Sequence, residues 1–148
     1  MRALLLAAAL FAPPGTWHDP HAALTVTYAK GWHVTTKLQA AITDPVQRFA
    51  LYSGAPPPES GPPRDNQAMA ILMEQEPPLP LDLSQFPPRL ARFRLPTLGA
   101  MENFDGNRWA EILFRERRRA FYLFVWVGRS ATGRVSEPLT ALDSLRVS

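Results

Sequence analysis

The last third of the chain, residues 110–148, constrains the fold more than any other stretch. Residues 110–115 and 120–127 have the composition of two strands joined by a basic turn, and Gly128 ends the second strand. Both alternating sets of residues 120–127 are apolar, so we predict a central strand covered on both faces. Residues 136–147 then read as a short amphipathic helix with Ser136 as its N-cap.

The preceding residues add shorter elements separated by proline-rich loops. We predict strands at 23–28, 32–36, 46–52, 69–75 and 89–95, a helical turn at 37–43, and loops at 13–20, 54–66 and 76–88. The first two strands are expected to pair as a hairpin across Gly31. The pattern predicts an α+β domain with a largely antiparallel sheet of six or seven strands and one or two short helices.

Length and cysteine content exclude several kinds of protein. A chain of 148 residues that is 46% hydrophobic suits one domain able to bury a core without metal or disulfide support. The chain has no cysteine, which excludes disulfides, thiolate metal sites and thiol catalysis.

The N-terminus has the pattern of a secretory leader. Arg2 precedes an apolar run at residues 3–12, which is too short to cross a bilayer as a helix. We therefore predict a signal or leader segment at 1–22 and a single α+β domain at 23–148. This favours an exported protein, periplasmic or extracellular, with no integral membrane span. The alternative is an apolar first element of a cytoplasmic protein.

Positive charge is concentrated in the second half of the chain. Residues 89–134 contain 10 basic and 4 acidic residues, whereas residues 1–88 contain 5 basic and 7 acidic ones. Such a segment can attract nucleic acid or anionic lipid, although solvated turns and strand edges produce the same composition.

Residues with catalytic or metal-binding chemistry do not form a recognisable motif. His18 and His21, with Asp19 between them, could begin a metal site, but a further ligand would be needed, and the only other histidine, His33, lies in a different predicted element. Glu74, Glu76, Glu102, Asp105 and Glu111 could act as acids or bases only if the fold brought two of them together. No serine has a nucleophile-elbow context and no glycine-rich phosphate loop is present. We expect no catalytic residue, no metal and no cofactor.

Several short phrases resemble the PsbP-type fold family, which includes the extrinsic photosystem II subunit and a Ran-binding import factor. They are Gly31-Trp32 after a strand, Asp44-Pro45 before another, Arg119-Ala120-Phe121 at the start of the long strand, and residues 142–147 at the end. The chain is also similar to small exported proteins of high-GC bacteria. The resemblance implies a sandwich of sheet and helices, and it transfers no functional residue.

Three function classes remain after this comparison of motifs. The first is a non-enzymatic exported or envelope-associated domain that binds a partner, with a protein as the favoured kind, through the turn residues Arg115, Arg117, Arg118 and Arg119 and through Trp109. The second is a small-ligand-binding or hydrolytic enzyme that uses Glu102, Asp105 or Glu111. The third is a basic module that binds nucleic acid or anionic lipid through residues 89–134.

Overall fold

The structure is a computed structural model that describes residues 14–36, 45–57, 62–75, 82–94, 97–100 and 106–148. Its elements within these ranges are β1 (Gly15–Asp19), β2 (Leu24–Tyr28), β3 (Trp32–Thr35), β4 (Val46–Ser53), β5 (Ala68–Gln75), β6 (Gly99–Ala100), β7 (Arg108–Glu116), β8 (Arg119–Val127), α1 (Ser136–Leu142) and β9 (Arg146–Val147). Two short 3-10 helices lie at Leu83–Gln85 and Thr132–Arg134.

The strands form two antiparallel sheets rather than one. The larger sheet has the order β3-β4-β5-β8-β7-β6, and the smaller has the order β1-β2-β9. The α+β class and the antiparallel pairing predicted from the sequence are therefore confirmed. The six-stranded sheet has β5 and β8 at its centre, as the apolar composition of these strands predicts.

The hairpin of β7 and β8 sets the register of the large sheet. Phe114 lies opposite Phe121, and the two rings stack with their centroids 5.1 Å apart. Alternate residues of β8, including Phe121, Leu123 and Val125, are fully buried on one face. The small sheet and α1 cover that face, where Leu24, Val26, Leu139 and Leu142 complete the main core.

Residues on the opposite face of the large sheet, here called the outer face, are only partly covered. A smaller cluster of Ala50, Tyr52 and Met69 lies there, with Ile71 and Trp126 packed against it. Phe86 covers the side chain of Tyr122 in an edge-to-face contact at 5.1 Å. The prediction that β8 is covered on both faces therefore holds fully on one side and partly on the other.

Two of the sequence predictions about the N-terminal part are wrong. Residues 15–19 were expected to form a loop, but they form β1, because Pro14 and Pro20 flank the strand rather than interrupt it. Strands β2 and β3 were expected to form a hairpin, but they pair in different sheets. Trp32 and Val26 both pack into the main core, so the turn at Gly31 connects the two layers.

Two further predictions fail near the C-terminal part. Residues 89–94 do not form a strand, since the backbone N–H of Phe93 donates to Asp143 Oδ1 at 2.8 Å instead of to a neighbouring strand. Ser136 is not the N-cap of α1, which is Val135 with no side-chain cap. The helix ends at Leu142, so Leu145 and Val147 are buried beyond it. The helical turn predicted at 37–43 lies outside the described residues.

Among the residues that the structure describes, no helix has the length and apolar character needed to span a membrane. Strand β1 falls within the segment 1–22 that the sequence predicts as a leader, and it pairs with β2 over its whole length. The leader itself stays a prediction.

Candidate functional site

The loop between β7 and β8 is reduced to two residues, Arg117 and Arg118. Both have positive φ, 52° and 61° respectively, which is the signature of a type I′ hairpin turn. Such turns favour Asn and Gly, because a Cβ atom in the left-handed region costs roughly 1 kcal/mol or more per residue. Both side chains are exposed, and neither bonds to another residue that the structure describes.

Arg119, the next residue, is engaged in a polar cluster below the turn. Its Nε and Nη2 donate to the two carboxylate oxygens of Glu74 at 2.6 and 2.8 Å, and Arg48 donates to the same carboxylate at 2.7 Å. Burial raises the pKa of Glu74, but the hydrogen bonds and charges of Arg119 and Arg48 outweigh it and hold that pKa below its usual range. Arg119 also donates to the carbonyls of Ala22 and Ser148, so it joins the two sheets.

Arg89 connects three other segments at the same end of the molecule. Its Nη1 donates to Glu116 Oε2 at 2.9 Å and to the carbonyl of Leu145 at 2.6 Å. Its Nη2 donates to the carbonyls of Leu142 and Asp143, where α1 ends. A cation that satisfies free carbonyls at a helix C-terminus is stabilising. Arg89 therefore holds the 89–94 segment, the hairpin and the C-terminal strand together.

Arg115 is also structural. Its Nη1 donates to the carbonyl of Leu83 at 3.2 Å, and its backbone N–H donates to the carbonyl of Pro87 at 2.8 Å. The predicted contact residues thus divide into two classes. Arg115 and Arg119 are half-buried and bonded, whereas Arg117 and Arg118 are available for a partner.

Further exposed arginines lie in the two segments that Arg89 joins to the hairpin. Arg146 follows Leu145 and Arg117 follows Glu116, and both Leu145 and Glu116 bond to the Arg89 guanidinium. We call this surface the basic end; it consists of Leu90 and the exposed side chains of Arg92, Arg94, Arg117, Arg118 and Arg146. None of these five guanidinium groups bonds to a carboxylate within the described ranges.

Two cations at the opposite end of β7 and β8 are paired with carboxylates. Arg129 bonds to Asp65 at 2.9 Å, and Arg134 bonds to Glu137 at 2.6 Å. Strands of nine residues place the two ends about 30 Å apart. The guanidinium of Arg64 donates only to the carbonyl of Pro56, and Arg108 is exposed without a carboxylate partner, in the described ranges. Among the described residues, guanidinium groups without a carboxylate partner are therefore more numerous at the basic end. The sequence analysis did not single out Arg92, Arg94 or Arg146, although Arg92 and Arg94 fall within the basic segment 89–134 that it proposed for polyanion binding.

Trp109 lies far from the turn. It stacks on Phe124 with ring centroids 5.5 Å apart, and its Nε1 donates to the carbonyl of Ala100 at 3.1 Å. The residue is half-buried on the outer face, near the end of β7 that is remote from Arg117. The structure thus does not bring Trp109 together with the arginines of the turn.

The histidine cluster of the sequence forms a turn. Asp19 Oδ1 accepts the backbone N–H groups of Ala22 and His21 at 3.1 and 2.9 Å, and these bonds lower the pKa of Asp19. His18 Nδ1 bonds to the hydroxyl of Thr25 at 2.8 Å. Within the part of the chain that the structure describes, no three His, Asp or Glu side chains are grouped as metal ligands.

Among the residues that the structure describes, the carboxylates considered for acid–base chemistry are not brought together. Glu74 is held by two arginines, and Glu111 is exposed on the outer face opposite Phe124. Glu76, Glu102 and Asp105 lie outside the described residues.

An open groove lies between α1 and the connection from β2 to β3. Its volume is about 560 Å³ and its lining is mainly apolar, with contributions from Pro14, Thr27, Tyr28, Ala29, Trp32, Ser136, Glu137, Thr140, Ala141 and Ser144. Ser144 Oγ accepts the N–H of Thr27 and donates to its carbonyl, both at 2.8 Å, which fixes one wall against β2.

No protein-family model and no curated protein matches this chain.

Proposed function

We propose that the protein is a non-enzymatic binding domain, exported or envelope-associated, that contacts a negatively charged partner surface through its basic end. The observation that carries this proposal is the group of five exposed guanidinium groups that lack a carboxylate partner among the described residues. Guanidinium groups bind carboxylates and phosphates with paired hydrogen bonds, so an unpaired set of them favours an anionic ligand.

The backbone of the turn supports the same proposal. Arg117 and Arg118 occupy left-handed positions that Asn and Gly fill at lower free energy. Unfavourable backbone conformations are concentrated at functional positions, where another requirement selects the side chain. Here the side chains are long cations directed into solvent at the tip of the central hairpin.

Retention on immobilised heparin, used as a polyanionic probe, tests the proposal. The variant Arg117→Gln/Arg118→Gln is compared with Arg108→Gln/Arg129→Gln, which removes the same charge at the opposite end. We expect the first variant to elute at clearly lower salt than the unmodified protein, and the second to elute close to it. Equal losses in the two variants would show that net charge, rather than the basic end, determines binding.

A second candidate function rests on the groove beside α1. Its volume of about 560 Å³ falls in the range of small-molecule sites, and Tyr28 and Trp32 offer apolar surface there. The substitution Ala141→Trp would fill the groove. If the groove binds apolar ligands, this variant will no longer enhance the fluorescence of a hydrophobic dye that the unmodified protein binds.

We further propose that the two-layered arrangement is that of the PsbP-like sandwich. It is supported by the Gly31-Trp32 turn between β2 and β3, by Arg119 at the start of β8, and by the short helix followed by β9 at the C-terminus. Superposition on solved domains of that family is the test, and a different strand order would contradict the proposal.

A further inference from the structure

One apolar side chain lies within the basic end. Leu90 is 50% exposed and is the single large hydrophobic residue among the described ranges that is exposed to this degree. It follows Arg89, which is anchored to the C-terminal end of α1, and it precedes the exposed Arg92. A lone exposed leucine is ordinary on a protein surface, but Leu90 lies in the segment that carries the exposed Arg92 and Arg94 and that Arg89 ties to the base of the arginine turn.

We propose that the basic end docks on an anionic phospholipid surface, with Leu90 entering the boundary between headgroups and acyl chains and the arginines contacting headgroup phosphates. This inference rests on the proposed function and names its partner. Peripheral membrane binding combines apolar insertion with attraction to anionic lipids, and Leu90 and the surrounding guanidinium groups provide both.

The burial of the aromatic rings at the basic end favours a lipid partner over single-stranded nucleic acid. Proteins that bind single strands present exposed aromatic rings on which bases stack. At the basic end, Phe93 turns inward against Phe114 with ring centroids 5.2 Å apart, and Phe86 is buried against Tyr122. No Phe, Tyr or Trp side chain in the described part of the chain is exposed.

The backbone at this surface is held in place before binding. The N–H of Arg89 donates to the carbonyl of Arg115 at 3.1 Å, and the N–H of Phe93 donates to Asp143. These bonds hold both ends of the Leu90 loop, and the two-residue turn leaves little freedom at Arg117 and Arg118. Docking would therefore order few additional residues, which reduces its entropic cost.

Flotation with vesicles tests the inference. The full chain is mixed with vesicles of phosphatidylcholine alone, or of phosphatidylcholine with an equal amount of phosphatidylglycerol. We expect binding only to the second kind, and a decrease of roughly 20-fold for Arg117→Gln/Arg118→Gln. The control Arg108→Gln/Arg129→Gln should bind as the unmodified protein does, and circular dichroism should show all variants folded.

Leu90→Ser separates lipid docking from other anionic partners. The substitution should weaken binding to the mixed vesicles about tenfold while leaving elution from heparin unchanged. Unchanged vesicle binding by Leu90→Ser would overturn the insertion of this residue. Heparin retention that depends on Arg117 and Arg118, without vesicle binding, would overturn the lipid inference and leave the proposed function in place. Absence of both heparin retention and vesicle binding in the unmodified protein would overturn the proposed function together with the lipid inference.

Discussion

Arg119 and Glu74 form a bidentate ion pair across the β5–β8 interface, with Nε and Nη2 at 2.6 and 2.8 Å from the two carboxylate oxygens. Arg119 is also the first residue of β8, directly after the exposed pair Arg117 and Arg118. The paired cation fixes the base of the hairpin, and the two unpaired ones extend beyond it. Neighbouring arginines therefore differ: Arg119 is structural, and Arg117 and Arg118 are the residues to which we assign the proposed binding.

Glu74→Gln should destabilise the fold, because it leaves Arg48 and Arg119 without the carboxylate that compensates them. We expect a loss of about 3 kcal/mol in the free energy of unfolding, measured in urea, since the carboxylate is almost completely buried. Asp65→Asn is the control, because its ion pair with Arg129 is more than half exposed and should contribute less than about 1 kcal/mol. Similar losses in the two variants would contradict this role.

Low pH should remove the contribution of Glu74 to the free energy of unfolding. Its pKa is lowered on folding, so the stabilisation is complete above the pKa of the unfolded chain, about 4.3, and is lost as the pH falls through the lower folded value. The difference in unfolding free energy between the unmodified protein and Glu74→Gln should therefore narrow below about pH 4.3. Urea titrations of both proteins over a pH series measure this difference. A constant difference down to the acid transition would exclude this linkage.

Replacing Arg117 and Arg118 by Asn and Gly should stabilise the hairpin while weakening anion binding. Asn-Gly is the preferred pair for a type I′ turn, and we expect a gain of about 1–2 kcal/mol in unfolding free energy. Thermal unfolding and heparin elution, measured on one sample, check both effects. Arg117→Gln/Arg118→Gln is the matched variant, which should weaken binding without the gain in stability. Stronger binding by the Asn-Gly variant would refute the assigned role of these residues.

Arg89→Lys should destabilise the fold, because a lysine cannot make all the hydrogen bonds of the Arg89 guanidinium. Arg89 donates to Glu116 and to the carbonyls at the end of α1 through two nitrogen atoms, whereas an ammonium group offers one compact donor centre. We expect a loss of about 2 kcal/mol in the free energy of unfolding, because buried carbonyl groups become unsatisfied. Chemical denaturation measures the change, and Arg92→Lys, which alters an exposed side chain, serves as the control. Full stability of Arg89→Lys would show that charge alone is sufficient at this position.

Gly128→Ala tests the close approach that ends β8. A Cβ atom there would overlap the backbone carbonyl oxygens of Arg64 and Asp65, while Gly128 N–H is bonded to the carbonyl of Gln67 at 2.8 Å. Because backbone atoms cannot move aside easily, we expect a loss of about 3 kcal/mol in the free energy of unfolding. Gly133→Ala has open space around the new methyl group and should change stability by less than about 0.5 kcal/mol. The midpoints of thermal unfolding distinguish the two.

Removal of residues 1–22 should be more harmful than removal of residues 1–13. The first deletion eliminates β1 and the contact between Trp17 and Phe49, whose ring centroids lie 4.9 Å apart. We expect a chain of residues 14–148 to unfold near the temperature of the full chain, and a chain of residues 23–148 to lose about 3 kcal/mol. Mass spectrometry of the protein from cell fractions would then locate any cleavage before Gly15. Equal stability of the two shortened chains would show that β1 is dispensable.

The sequence alone determined the central part of the fold. The apolar residues of 120–127, the alternation of 110–115 and the proline-rich loops are local patterns, and they correctly indicate β7, β8 and an antiparallel α+β domain. A basic turn between these two strands was also correctly predicted, and the structure reduces it to Arg117 and Arg118. These features depend on residues close together in the chain, so periodicity and turn chemistry are sufficient to detect them.

Only the tertiary structure decided which arginines are available for binding. Arg89, Arg115 and Arg119 cannot be distinguished from Arg92, Arg117 and Arg118 by composition, because their partners are distant in the sequence: Glu74, Leu83 and the carbonyls near Leu145. The separation of β2 and β3 into two sheets is likewise set by burial of Val26 and Trp32 in one shared core. Long-range pairing and burial select among local possibilities that are nearly equal in free energy.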